Sequence, residues 1–385
     1  MHFVLFCHSL VSDWNHGNAH FLRGVVAELQ ARGHRVTVYE PHDSWSRRNL
    51  LEYYGDYSGD PEAPLRWFRA SFPTLESRIY DPCSLDLDDA LGDAGVAIVH
   101  EWNDPAWVGR IGAWRAEHPA GPLLLFHDTH HRAVTEPRSM AAYDLRGYDG
   151  VLAFGRVLRD LYLQRCWARR AWIWHEAADT RVFYPRDPAW TYDEAIGAYA
   201  LSPIDDLVFV GNWGDDERKA ELFEFLVQPC AGLSLRAHVY GVRYSDQALG
   251  WLVNAGINYE GWLPNHKAPD IFAQHRLTIH VPRRPYARAL PGIPTIRVFE
   301  ALACGIPLIC APWQDSEGLF TPGEDYLVAR DGAEMTSHIR AILAEPFLAA
   351  SLRDHGLATI RARHTCAHRV DELLAIVGDL CQSTA

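Results

Sequence analysis

Short apolar runs alternate with longer stretches whose apolar positions recur every three or four residues. Phe3–Cys7 reads as a buried strand. Phe21, Leu22, Val25, Val26 and Leu29 then fall at helical spacing and end near Gly33, and Arg35–Tyr39 alternates as a strand. Further strand runs lie at Val96–Val99, Leu123–Phe126, Val151–Phe154 and Trp172–Trp174. This βα rhythm predicts a parallel sheet with helices on both faces. A second series begins after about Pro185, with strands at Leu207–Val210, Ala237–Tyr240, Ile257–Tyr259, Leu277–Val281, Leu308–Cys310 and Tyr326–Val328. Between the two, Asp187–Asp206 is punctuated by Pro and Asp and reads as a linker with one short helix. Phe347–Leu380 reads as helical throughout. The expectation is α/β: two tandem Rossmann-like, doubly wound domains, residues 1–186 and 187–363. A last helix within 364–385 then packs back on the first domain.

One segment breaks the rhythm. His42–Leu91 holds Trp45, Tyr53, Tyr54, Tyr57, Trp67 and Phe68 among Pro, Gly and Asp. An insertion of this length is either a lid over a substrate or a helical hairpin whose aromatics fill their own small core.

With 385 residues, 48% apolar and 22% charged, the chain has ample mass for two cores, which excludes disordered and fibrous classes. A net charge of 36 − 49 = −13 argues against a general nucleic-acid binder, although a local basic pocket fits within it. The eight cysteines include no CxxC pair, so neither a disulfide scaffold nor a structural zinc site is expected. No run approaches the roughly 20 apolar residues that span a bilayer, and Met1–Cys7 is too short for a secretion signal. A cytoplasmic protein is the expectation. Arg165, Trp167, Arg169, Arg170, Trp172 and Trp174 form a basic aromatic run. It reads as the end of a helix entering a buried strand, or at most as a peripheral membrane contact.

The most informative stretch is VPRRPYARALPGIPTIRVFEALACGIPLICA from Val281. Arg283, Arg284, Arg288 and Arg297 crowd it in an otherwise acidic chain. A helix is expected to start at Thr295 as N-cap and to stop at Gly305. Free N–H groups at a helix start beside arginines make an anion site. Glu300 lies one turn inside among Val298, Phe299, Ala301 and Leu302. It is suited either to accept hydrogen bonds from ribose hydroxyls or to pair structurally with Arg297. In the first domain, strand ends are followed by polar clusters: His8, Asp13, His16 and His20; His100, Glu101, Trp102, Asn103 and Asp104; and His127, Asp128, His130 and His131. Gly17 and Asn18 open a helix there. Such clusters suit either a metal or an acceptor-and-sugar site. The loops lack the helix that would align an HxxxH pair, so no metal is expected. No GxGxxG follows a strand, and a P-loop is absent.

RVFEALACGIPLI resembles the nucleotide-sugar-binding motif of GT-B glycosyltransferases, close to the Glu-x7-Glu region of the large retaining family. With Arg before VFEALACG it is similar to the spore-maturation-type members. NAHFLRGVVAELQARGHRVTVYEP resembles their first helix and second strand, WIWHEAADTRVFYP their interdomain segment, and LVFVGNWGDDER the start of their donor domain. The likeness covers nearly the whole chain.

The resemblance implies a metal-independent transferase with two domains facing across a cleft, acceptor in the first and donor in the second. It implies no prosthetic group, a nucleoside-diphosphate sugar (UDP or GDP) as donor substrate, and an acceptor that is a sugar, a small molecule or a lipid-linked glycan. Donor binding would fall to Glu300, Thr295, Ile296, Arg297, Arg218 and Lys219, with Trp262 and Leu263 of YEGWLP flanking the base. His127 would contact the donor sugar, and Asp128, His16, Glu101 or Asp104 would serve as base if one is needed. One departure stands out: Gly292 occupies the place, eight before Glu300, where the family often has its other Glu. Two alternatives remain, a sugar-nucleotide epimerase of the same fold and a non-catalytic nucleotide-sugar binding module.

Overall fold

A computed structural model describes the backbone of all residues except 16, 59, 61, 188–189, 194–197, 202–203, 215 and 385; the side chains of 54–58, 190–193, 198–201 and 383–384 are also not described. The chain divides into two compact units, Met1–Glu176 with Cys366–Ala385, and Ala177–Thr365.

The first unit is built on a parallel sheet of β1 (His2–Phe6), β2 (Arg35–Pro41), β3 (Arg78–Tyr80), β4 (Val96–His100), β5 (Leu123–Asp128), β6 (Gly150–Ala153) and β7 (Ala171–Ile173). The order is β3-β2-β1-β4-β5-β6-β7. Phe3 lies opposite Val36 on one side and Val96 on the other, and Val99 opposite Phe126. Such strands are covered on both faces and run as unbroken apolar stretches, which is why they read clearly in the sequence. The order reverses between β1 and β4. At a reversal the loops leaving the carboxyl ends diverge and open a crevice.

The helix Asn18–Ala31 follows β1 and buries Phe21, Leu22, Val25, Val26 and Leu29. The final helix, Cys366–Thr384, packs against it, with Arg32 Nη1 2.5 Å from Asp371 Oδ1. Trp174, fully buried, donates its indole N–H to the Arg369 carbonyl at 2.8 Å. The basic aromatic run begins where the helix Arg156–Gln164 ends and passes through a turn into β7.

The insertion at 42–91 forms two helices, Trp45–Ser58 and Ala63–Ser71, then β3 and a short helix Leu87–Leu91. β3 is an edge strand that the hydrophobic pattern does not announce, because only its last residue, Tyr80, is buried. Leu65 and Phe68 are buried, and the Arg23 guanidinium lies 5.8 Å from the Phe68 ring and 5.7 Å from Phe72. The insertion is thus joined to the sheet as well as to its own aromatics.

In the second unit β8 (Trp190–Asp193) and β9 (Ala198–Leu201) form an antiparallel hairpin. Where a short helix is expected in 187–206, the described residues form these strands instead, in keeping with the extended preference of Trp, Thr and Tyr. The main sheet holds β10 (Asp205–Val210), β11 (Ala237–Tyr240), β12 (Ile257–Gly261), β13 (His275–His280), β14 (Leu308–Cys310) and β15 (Leu327–Val328) in the order β12-β11-β10-β13-β14-β15, all parallel. Its order reverses between β10 and β13. Leu207, Phe209, Val239, Leu277, Ile279 and Ile309 carry its core, with Leu222 and Phe225 packed over them.

The tail is two helices, Pro346–Arg363 and Cys366–Thr384, the second lying within the span expected for a last helix. The break follows from tertiary contacts at His364: its ring bonds the Leu319 carbonyl at 2.8 Å and its carbonyl accepts from Ala178 N–H.

Candidate functional site

In the first unit the polar clusters sit at the carboxyl ends of β1, β4 and β5. The loop after β1 is organised by Glu40, fully buried on β2. Its carboxylate accepts the backbone N–H of Leu10 (2.7 Å), Val11 (2.6 Å) and Ser12 (3.3 Å), and also the Ser12 hydroxyl. Four donors offset the burial of that charge. Glu40 is a residue the sequence reading missed; an acidic residue near the end of an otherwise apolar strand was the available signal. Asn18, at the start of the helix that Gly17 precedes, donates to Glu176 Oε1 at 3.1 Å. His16 lies outside the described residues.

His127 is completely buried, between Trp174 (ring centroids 4.8 Å apart), His100 (5.2 Å) and Phe21 (6.0 Å). Neither ring nitrogen has a hydrogen-bond partner among the described residues. Burial drives its pKa down to about 3, so the ring is neutral and can give one N–H and one lone pair to a ligand. Asp128 follows it, also buried, and accepts from Tyr162 Oη (2.8 Å) and His130 N–H (3.0 Å). Glu101 is ion-paired with Arg132, whose guanidinium also donates to the Glu101 carbonyl at 2.7 Å and lies 4.3 Å from the centre of the Trp102 ring. Burial raises the pKa of both carboxyls. Asp104 is spent as the N-cap of the helix Pro105–Glu117, accepting Ala106 N–H at 2.8 Å. The aromatics gather beside these groups. The Trp45 ring lies 5.1 Å from His8 and 6.2 Å from Trp102, and Trp14 N–H donates to Ser46 Oγ at the start of the insertion's first helix.

In the second unit the switch between β10 and β13 is lined by cations. Arg218 ends the loop after β10, its side chain turned back toward the sheet. One guanidinium nitrogen donates to the Val281 carbonyl at 2.7 Å and another to that of Asn212, while Nε is buried with no hydrogen-bond partner among the described residues. Burial and the neighbouring Arg283 lower its pKa to about 10, which leaves it charged at neutral pH. Gly214, at φ +85°, packs against that Nε; a Cβ there would meet it at 3.2 Å.

Across the switch, Thr295 caps the helix Ile296–Cys304 by conformation alone, because its hydroxyl is turned to His280 Nε2 at 3.0 Å. The first amides of that helix thus receive no side-chain cap. Gly305 ends it in the left-handed region at φ +67°. His280 is itself kept neutral, its pKa lowered to about 3 by burial and by Arg218 and Arg297. Ile296 is buried beside it.

Glu300 is fully buried. One oxygen is ion-paired with Arg297 and the other accepts Asn265 Nδ2 at 2.7 Å. Asn265 brings the loop after β12, with Trp262 and Leu263, to this helix. Of the other arginines, Arg284 makes a two-point contact with Glu221 (2.7 and 3.1 Å) and Arg283 lies 3.4 Å from Glu217. Arg283, Arg284 and Arg297 thus sort into carboxylate pairs around Arg218, which donates to carbonyls instead. Lys219 sits beside it with Nζ 5.6 Å from the Trp251 ring. Gly292 adopts φ +87°, and a Cβ there would meet Glu317 Cγ at 2.5 Å. The position that lacks a Glu is therefore covered by the side chain of another.

Residues 218–375 match the family model described as "Glycosyl transferase-like". No curated protein matches the sequence. Solved structures match over nearly the entire chain at low identity. Sucrose-phosphate synthase (tll1590) from Thermosynechococcus elongatus is 14% identical with a TM-score of 0.62, covering 99% of each chain. Anabaena Alr3699/HepE, solved with UDP and glucose, is 12% identical with a TM-score of 0.63, over 98% of this chain and 100% of that one. An alpha-glucosyltransferase solved with UDP-glucose and DNA containing an abasic site is 11% identical with a TM-score of 0.67, over 98% and 99%. Residues 218–375 are thus similar to the glycosyl transferase-like family, and the fold, two Rossmann-like parallel-sheet units of the GT-B kind, is shared over nearly the whole chain with these solved structures.

Proposed function

We propose that the protein transfers a hexosyl unit from a nucleoside-diphosphate sugar, UDP-linked as in the neighbours' complexes, to an acceptor hydroxyl. The spore-maturation-type transferases are the nearest pattern. The reaction belongs in the cleft expected between the two domains, of which 1–186 would hold the acceptor and 187–363 the donor. The observation that carries the reading is Arg218: a buried guanidinium with a free Nε, set at the switch of the second sheet opposite an uncapped helix start. Both features favour an anion, and together they fit a diphosphate.

In the transfer, the bond from the sugar's anomeric carbon to phosphate oxygen breaks as that carbon bonds the acceptor oxygen. Arg218 and the amides at Thr295–Arg297 stabilise the charge developing on the leaving diphosphate, the role a metal plays elsewhere. Glu300, oriented by Arg297 and Asn265, accepts from the ribose hydroxyls, and Trp262 and Leu263 flank the base. His127 hydrogen-bonds the sugar, and Glu317 supplies the carboxylate that Gly292 lacks. Asp128, Glu101 and Asp104 are each committed to other partners. That favours the route in which the leaving phosphate takes the acceptor's proton and configuration is retained. We place the protein in the cytoplasm; no described helix is long and apolar enough to cross a membrane. The acidic whole does not suit nucleic acid as acceptor.

The test is thermal shift of wild type and Glu300→Ala with UDP, GDP, ADP, TDP and CDP. A ligand of the folded state raises Tm by mass action. UDP stabilising wild type and not the variant supports the donor site, and release of UDP only when an acceptor is present distinguishes transfer from epimerisation and from binding alone. No shift with any nucleotide overturns the reading.

A further inference from the structure

At the other end of the second sheet, where the strands begin, three side chains from three neighbouring strands converge. Asp205 opens β10, His238 is the second residue of β11, and His275 opens β13. Each offers a ligand atom within 4.8 Å of the others'. The hydrogen bonds fix which atoms these are. His275 Nδ1 lies 2.7 Å from the Ile271 carbonyl, which only accepts, so Nδ1 carries the proton. Its Nε2 is then a bare lone pair. That atom is buried and has no hydrogen-bond partner among the described residues, in a residue 7% exposed.

His238 Nδ1 lies 2.9 Å from Glu260 Oε1 and by the same reasoning is protonated. Its Nε2 faces Asp205 Oδ2 at 3.2 Å. The other Asp205 oxygen is taken by Arg236 Nη1 at 3.3 Å.

Two lone pairs and a carboxylate oxygen therefore face one another. A second proton on His238 relieves its contact with Asp205 but leaves His275 Nε2 unsatisfied. A divalent cation satisfies all three at once. We propose that Asp205 Oδ2, His238 Nε2 and His275 Nε2 bind a divalent transition-metal ion of the zinc type, with water completing a four-coordinate shell. Two imidazoles and one carboxylate form a donor set suited to Zn²⁺. The outer contacts have the form metal sites use: each ring's remote N–H is held, by a backbone carbonyl for His275 and by Glu260 for His238.

The site clamps the amino-terminal ends of the strands, away from the carboxyl-end loops that carry Arg218 and Thr295. Its role is accordingly to tie β10, β11 and β13 together, and it stands independently of the donor-site reading.

The full-length protein is stripped with EDTA and titrated with Zn²⁺ by calorimetry, and with Co²⁺ by visible absorption. Wild type is expected to take one equivalent and gain Tm. The Co²⁺ spectrum should show ligand-field bands of a nitrogen and oxygen site without a thiolate charge-transfer band, which separates it from the eight free cysteines. His275→Gln and His238→Gln should abolish that equivalent. Glu260→Gln, which removes only the outer contact, should weaken it about 10–100-fold. UDP affinity should not change with metal. If wild type binds no more tightly than the folded His275→Gln protein, the proposal is overturned and His238 is a doubly protonated link between Asp205 and Glu260.

Discussion

At the carboxyl ends of β1, β4 and β5 the first unit gathers histidines and carboxyls; at the carboxyl ends of β10 and β13 the second gathers arginines. The winding is the same, with the switch after the first strand of each sheet, so the backbone does not explain the contrast. Side-chain chemistry does. In the first unit the buried groups cancel: His127 is neutral, Glu101 is paired with Arg132, and Asp128 accepts from Tyr162. In the second, Arg218 remains a charge whose hydrogen bonds among the described residues go to backbone carbonyls. A nearly neutral hydrogen-bonding surface suits a sugar, and a fixed cation suits phosphate. On the proposed reading, the first would hold the sugar and the second the diphosphate.

Arg218→Ala tests that division most severely. The carbonyls of buried Val281 and half-buried Asn212 lose charged donors, each worth about 1.5–3 kcal/mol, so urea denaturation should show a loss of several kcal/mol. Where the variant still folds, UDP affinity should fall about 100-fold. Arg218→Lys separates the effects. A lysine keeps the charge but lacks the planar fork, so stability should recover in part while UDP affinity stays at least tenfold down. Unchanged UDP affinity in either variant would break the comparison.

His127 sharpens the other side. Replacing it with Asn should lower kcat about 10–100-fold, the worth of one or two hydrogen bonds to a sugar, and leave UDP affinity within twofold. Its pH signature is separate. A histidine at about 3 when folded and 6.5 when unfolded binds fewer protons folded than unfolded between those values, so stability falls as pH drops through that window. Each such group contributes up to about 1.4 kcal/mol per pH unit. Between pH 6.5 and 5, wild type should therefore lose about 1.6 kcal/mol more than His127→Asn. The raised pKa values of Glu101 and Asp128 act oppositely, stabilising the fold at low pH, but they are common to both proteins. Equal slopes would mean that His127 is not held neutral.

Much of this was legible in the sequence. The buried parallel strands announce themselves as apolar runs, and the helix from Thr295 to Gly305 shows its cap, its stop and its odd carboxylate in one line. What stayed hidden depends on long-range partners. β3 has one buried residue, Glu40 becomes an anchor only when the loop after β1 folds over it, and the arginines sort into pairs through Glu217, Glu221 and Glu300. No spacing rule brings Asp205, His238 and His275 together, because three strands and their crossovers separate them in the chain.

Gly292→Ala is smaller in effect and local. The left-handed backbone costs an alanine about 1 kcal/mol, and its Cβ collides with Glu317. The side chain of Glu317 is flexible, so the total in urea denaturation should stay near 1–2 kcal/mol. Catalysis should suffer more than stability if that carboxylate handles the donor sugar: kcat down about tenfold, with UDP affinity unchanged, and Glu317→Gln should reproduce the kcat loss without the strain.

Lys219 carries the smallest expected effect and the finest discrimination. It adjoins Arg218 in sequence, and charge alone would let either reach a phosphate. The structure separates them: Arg218 turns in toward Val281 and Asn212, whereas Lys219 rests over Trp251. A partly exposed ammonium over an indole contributes about 0.5–1 kcal/mol. Lys219→Ala should therefore cost no more than that in stability and leave UDP affinity within twofold, with an unaltered dependence on salt. A loss of UDP affinity comparable to that of Arg218→Ala would show that the lysine leaves the tryptophan when the donor arrives, and that the cationic end of the second unit works as a pair of charges rather than as one arginine fixed in place.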